Sequence, residues 1–184
     1  YNEGTVWYRR DILGERAIAE GLVFPYFADN EEDYLIEQEE INKLRCNHIV
    51  IGVDFGDSGS KYSFHCTGFY KDWSNLIVLT ERDIEKSNGI DTTRLCNEFV
   101  MFYREVIHDW GYPQFVFCDS ASNTLINTLR SACMREGLNG NVIMPVTKNE
   151  IADRPRTIDL LFRLGRLKIN KKCSNLRKAL RSLV

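Results

Sequence analysis

An apolar, β-branched run, Ile49-Val50-Ile51-Gly52-Val53, delivers one carboxylate, Asp54, straight into a turn that holds Gly56 and Gly59. No other pattern constrains this chain as strongly. A run of that length and composition reads as a buried strand. An acid at its tip is costly to bury alone, so it faces a cation or a donor. A second apolar run, Phe115-Val116-Phe117-Cys118, also ends in an acid, Asp119, followed by small polar residues. Either Asp alone could cap the next turn or helix. Two strands that each present a carboxylate at one sheet edge point instead to a divalent metal, with Mg²⁺ or Mn²⁺ as the oxygen-preferring choices. Two ions sharing a hydrolytic site would need a third acid. The candidates within the chain are Asp57, Asp153 and Asp159, and the last two have Arg154, Arg156 and Arg163 close by as simpler ion-pair partners.

The 184 residues suffice for one domain of ordinary size. No apolar stretch approaches a membrane span, and the start is not a signal peptide. The missing initiator Met reads as a piece of something longer. Six scattered cysteines include no close pair of zinc-site spacing. They read as reduced, buried thiols of a cytosolic protein, and His48, His65 and His108 read as structural. The net charge of −2 hides a division. From Lys148 to Val184 there are 11 Lys/Arg and 3 Asp/Glu, a balance of +8, against 13 and 23 in the remainder, a balance of −10. Such asymmetry suggests a basic face for a polyanion.

Residues 1–47 read as a connecting arm with a first turn or helix. Gly21–Phe27 looks extended, with Pro25 barring a central strand. Strands are expected over Ile49–Phe55, Tyr62–Tyr70 and Leu76–Thr80, the last two joined by a hairpin loop at Lys71–Asn75. A helix follows over Thr92–Trp110, ended by Gly111, then the strand Phe115–Cys118 and a helix over Ser122–Glu136. A short strand Val142–Met144 comes next. Pro155 suits the first turn of a helix with Leu160, Leu161 and Leu164 inward. Leu167–Ile169 could be a last strand, and Ser174 can cap a final helix. Hairpins followed by βα alternation describe a mixed sheet with helices on its faces. Asp54 and Asp119 then fall at carboxyl ends, where ligands of open α/β sheets bind.

Two resemblances attach to these residues. Asp54–Lys61 resembles the first phosphate loop of sugar kinases and other actin-like ATPases, but Asp119 is followed by Ser120-Ala121-Ser122 rather than paired glycines. The broader one spans essentially the whole chain. Trp7–Glu15 and Glu20–Phe27 are similar to the segment joining ATPase and nuclease in large terminase subunits of tailed phages. Ile51–Gly56 and Phe117–Ala121 resemble the two acidic motifs of their nuclease domain. Val146-Thr147-Lys148 and Gly165–Ile169 match its basic loop and following strand. That resemblance implies an RNase H-like mixed sheet, with three antiparallel strands, then parallel βα units, and helices on both faces. Residues 48–184 would be the nuclease domain. It further implies metal-dependent endonuclease cutting of concatemeric viral DNA in the host cell cytoplasm, with portal protein and small terminase subunit as partners. The family's third acid lies beyond the last strand, past the point where this sequence stops.

Asp54 and Asp119 are therefore the expected metal ligands, and Lys148, Arg154, Arg156, Arg166 and Lys168 the expected phosphate contacts on double-stranded DNA. An actin-like ATP-binding lobe and a non-catalytic DNA-binding module of a packaging motor are the alternatives.

Overall fold

The computed structural model describes residues 22–56, 61–85, 92–120, 122–147 and 153–183. Its strands are β1 (Leu35–Ile36), β2 (His48–Asp54), β3 (Tyr62–Tyr70), β4 (Asn75–Ile84), β5 (Phe115–Cys118), β6 (Ile143–Pro145) and β7 (Leu167–Asn170). In β2 every second side chain, Ile49, Ile51 and Val53, is buried, the period of a strand packed on one face. It pairs antiparallel with β3, which pairs antiparallel with β4. On its other side β2 pairs in parallel with β5, and β5 with β6. β7 lies parallel to β4, and β1 parallel to β7. Among the described residues this makes one mixed sheet in the order β1-β7-β4-β3-β2-β5-β6. Every strand of it except β3 runs towards the same edge.

The helices are α1 (Pro25–Asp29), α2 (Gln38–Lys43), α3 (Thr92–Trp110), α4 (Asn123–Arg135), α5 (Asp153–Arg163) and α6 (Ser174–Ser182). α3 buries Leu95, Phe99, Phe102 and Val106 at helical spacing, against the face that carries Ile49, Ile51, Val53, Phe64 and Val116. α4 joins it there through Ile126 and Leu129. Ser122 caps α4 by accepting the Leu125 N–H. On the opposite face α1, α5 and α6 cover only the β4–β7 side, around Phe24, Phe27, Phe162 and Ile169. Burying each such aromatic stabilises the fold by roughly 1.5–3 kcal/mol. Over β2, β5 and β6 that face stays partly open, with Phe115 37% exposed.

Residues 22–47, the described part of the expected arm, pack on the sheet, supplying β1 and the stacked pair Phe27–Tyr34. Three local expectations are corrected. Gly21–Phe27 is not wholly extended, because Pro25 opens α1 at its first position, where a missing N–H costs nothing. In α5 the fully buried residue is Phe162, 1% exposed; Leu161 packs against the same cluster as expected, while Leu160 and Leu164 are 54% and 56% exposed. The large ring meets Phe27 and Tyr34 at centroid distances of 5.0 and 4.9 Å, and that contact sets the phase of the helix. Ser174 lies inside α6 rather than capping it. The Glu81 carboxylate of β4 caps it from outside, accepting N–H bonds from Asn175 (2.7 Å) and Leu176 (2.8 Å).

Candidate active site

The two sequence-predicted acids meet at the carboxyl edge. Val53 and Cys118 are parallel partners, and the ladder extends one bond further, the Asp119 N–H donating to the Val53 carbonyl at 2.9 Å. Asp54 and Asp119 follow those partners on adjacent strands, whose spacing is about 4.8 Å. Asp54 is exposed and Asp119 half-buried. One oxygen of Asp54 accepts the Gly56 N–H at 2.9 Å. Gly56 adopts φ 55°, a left-handed turn that glycine enters without steric cost, so the turn orients the carboxylate.

A further acid stands in the same row. Asp54 is paired with Ser63, and Ser63 with Asp83. The Ser63 hydroxyl donates to the Asp83 carboxylate at 2.7 Å. One row inward His65 opposes both Gly52 and Glu81, its Nε2 3.8 Å from the Glu81 carboxylate. A Cβ at Gly52 would meet nothing nearer than the His65 carbonyl oxygen, at 4.0 Å, so this part of the face is roomy. Burial pushes His65 below the ordinary histidine range, against the opposing pull of Glu81, Asp83 and Asp54. A strand ending at Thr80, as expected from the sequence, leaves out Glu81 and Asp83. A register shift opposite Cys66/Thr67 changes the phase of β4, as bulges do, and brings both acids level with β3's Ser63 and His65. A charged tail continuing an apolar strand was the available signal.

The other predicted residues divide by place. Lys148 and Asp57 lie outside the described residues. Asp153 pairs with Arg156 (3.6 Å) and Asp159 with Arg163 (2.7 Å), the ion pairs that were the simpler reading. Arg154 and Arg156 occupy the first turn of α5. That helix leads into the start of β7, level with Leu76, at the edge opposite the acids. Arg166 and Lys168 do not join them. Arg166 Nε donates to the Ser74 carbonyl, at the opposite end of β4, and Lys168 Nζ to the Asp33 carbonyl. Through Ile77 and Gly68, Lys168 is level with Ile49, five residues below Asp54.

The thiols are chemically quiet. Burial pushes Cys118, Cys133 and Cys173 up to about 12, far from a reactive thiolate.

No family model matches the chain, and no curated protein sequence matches it. Solved structures do. The large terminase of a thermophilic bacteriophage superposes with a TM-score of 0.64 at 16% identity, over 96% of this chain and 41% of that one. The nuclease domain of the P22 large terminase gives 0.59 at 12% identity, over 90% and 80%. The g2p nuclease domain of bacteriophage SPP1, solved with bound Mn, gives 0.56 at 16%, over 81% and 78%. The chain thus has the RNase H-like fold of terminase nuclease domains. It spans about two-fifths of the length of the thermophilic phage's protein.

The donor set at the edge fits a hard cation. Mg²⁺ and Mn²⁺ bind through one or two carboxylates and keep several waters, and Asp54 and Asp119 supply two. Among the described residues no group of three or more His, Cys, Asp or Glu side chains is placed to hold a metal ion.

Proposed function

We propose that this chain is the nuclease domain of a DNA-packaging terminase, a metal-dependent endonuclease that cuts concatemeric double-stranded DNA. The observation that carries the reading is the parallel pairing of Val53 with Cys118, which sets two acids side by side at the carboxyl edge of this particular fold. Asp54 and Asp119 would hold Mg²⁺ or Mn²⁺, one ion or two. When bound, the metal supplies an activated water and neutralises charge developing on the phosphodiester. The Gly56 N–H keeps the Asp54 carboxylate in one orientation. Arg154 and Arg156, in the first turn of α5, would position the duplex by its phosphates without reading bases, and Lys148 is a further candidate. The portal protein and the small terminase subunit would be the partners, and the host cell cytoplasm the setting.

Mn²⁺-dependent nicking of supercoiled plasmid tests this. A longer form of the chain that also carries the family's third acid should relax plasmid with Mn²⁺ and not with chelator, and Asp54→Asn or Asp119→Asn in it should abolish the activity. Among the described residues no three metal-ligating side chains are grouped to hold an ion, so a second reading is a module that binds DNA without cutting. Duplex binding by the longer chain with no nicking at any Mn²⁺ concentration would select it.

A further inference from the structure

At the sheet edge opposite the acids, the β3–β4 turn holds three successive non-glycine residues in the left-handed region, Lys71, Asp72 and Trp73, with φ of 51°, 52° and 68°. Side chains disfavour that backbone, and hairpin turns of this hand ordinarily use Asn and Gly. What holds the turn is Trp73. Its indole stacks on His48, with centroids 4.0 Å apart and planes at 16°, and tilts against Phe69 at 4.8 Å. The residue is nonetheless 42% exposed.

Cations flank it. Lys71 is exposed beside it. Arg166 reaches the Ser74 carbonyl in the same turn. Arg163, one short loop earlier, pairs with Asp159 and lies 4.1 Å from the ring of Tyr26, itself 47% exposed, and the one acid of the turn, Asp72, is exposed. Clamped, partly exposed rings interleaved with cations are the chemistry that binds single strands, with bases on the rings and phosphates on the cations. A duplex keeps its base faces stacked inside and cannot use the indole. The seven residues of β2 put about 20 Å between this edge and Asp54, so the platform is separate from the acids.

We propose that this edge binds single-stranded DNA, with a base stacked on Trp73 and the backbone tracking Lys71, Arg163 and Arg166. The proposal goes beyond the nuclease reading and stands whether or not the acids cut. Its test is fluorescence anisotropy of a labelled oligothymidylate with the chain in chelator, so that cutting plays no part. The wild type should bind the oligothymidylate more tightly than an abasic strand of equal length and charge. Trp73→Ala should weaken that binding by about five- to 160-fold, the range for loss of one base–aromatic stack, and leave duplex affinity unchanged. Equal affinity for the abasic strand would overturn the proposal without any variant. So would unchanged oligothymidylate binding by folded Trp73→Ala, or an equal loss towards single strand and duplex.

Discussion

The Asp119 N–H donates to the Val53 carbonyl, 2.9 Å away, one residue past the last assigned pair of the β2–β5 ladder. That bond keeps the second acid in register with the first after the strand itself has ended. If Asp119 is a direct ligand, Asp119→Asn should lower Mn²⁺-dependent nicking by more than about a hundredfold, above the 10–100-fold typical of groups that only orient ligands. Circular dichroism of the variant should match the wild type, since the amide preserves the backbone bond. A loss smaller than tenfold would move the chemistry to other residues.

Asp83 should behave differently. It stands two strands from Asp54 and is already held by Ser63, so it is expected to tune the field rather than ligate. Asp83→Asn should weaken the apparent Mn²⁺ affinity a few-fold, and excess Mn²⁺ should restore the rate. Titrating nicking against Mn²⁺ separates the two acids. A loss that no Mn²⁺ concentration repairs would make Asp83 a ligand.

Glu81 carries a stability prediction. Its carboxylate, with a side chain only 7% exposed, accepts two N–H groups at the start of α6. Anion and helix end stabilise each other, so Glu81→Ala should cost about 1–2 kcal/mol in urea unfolding, the range of a lost N-cap. The strand supplying this cap lies far away along the chain, beyond any local reading of Ser174. The same reason explains the phase error in α5. A leucine at every third or fourth position is legible, but which stripe faces inward is decided by Phe27 and Tyr34 from the distant N-terminal segment. The β2 and β5 strands with their terminal acids were legible because burial and charge change there within a single residue. α3 was legible because its apolar stripe is long enough to fix its own phase. Asp83 was masked because a register shift sets its level against the partner strand, and the charged tail after Thr80 signalled only that the strand runs on.

His65 should give the fold a pH dependence. Burial lowers its folded pKa, and Glu81, Asp83 and Asp54 oppose that only in part. The unfolded chain therefore takes up the proton first as pH falls. Stability is complete above the unfolded value of about 6.5 and is lost as pH drops through it towards the depressed folded value. The midpoint temperature of the wild type should fall between pH 7 and pH 5 by more than that of His65→Asn. Parallel curves for the two proteins would show that the imidazole titrates alike in both states.

Duplex binding should be carried by the first turn of α5. Arg154 and Arg156 begin α5, whereas Arg166 and Lys168 bond the carbonyls of Ser74 and Asp33 and sit towards the edge opposite the acids. Each cation that neutralises a phosphate releases counterions, so log affinity falls with log salt by about 0.9 per contact on duplex DNA. Replacing Arg154 and Arg156 together by Ala should flatten that slope by up to about two units, and weaken two unrelated duplexes alike. The pair Arg166→Ala and Lys168→Ala should leave the duplex slope where it was. Arg156 gives up only an exposed ion pair with Asp153 at 3.6 Å, worth little to the fold, so a changed slope can be read as binding. If the Arg166/Lys168 pair flattens the slope and the Arg154/Arg156 pair does not, the duplex runs along the far edge and the proposed cutting geometry is wrong.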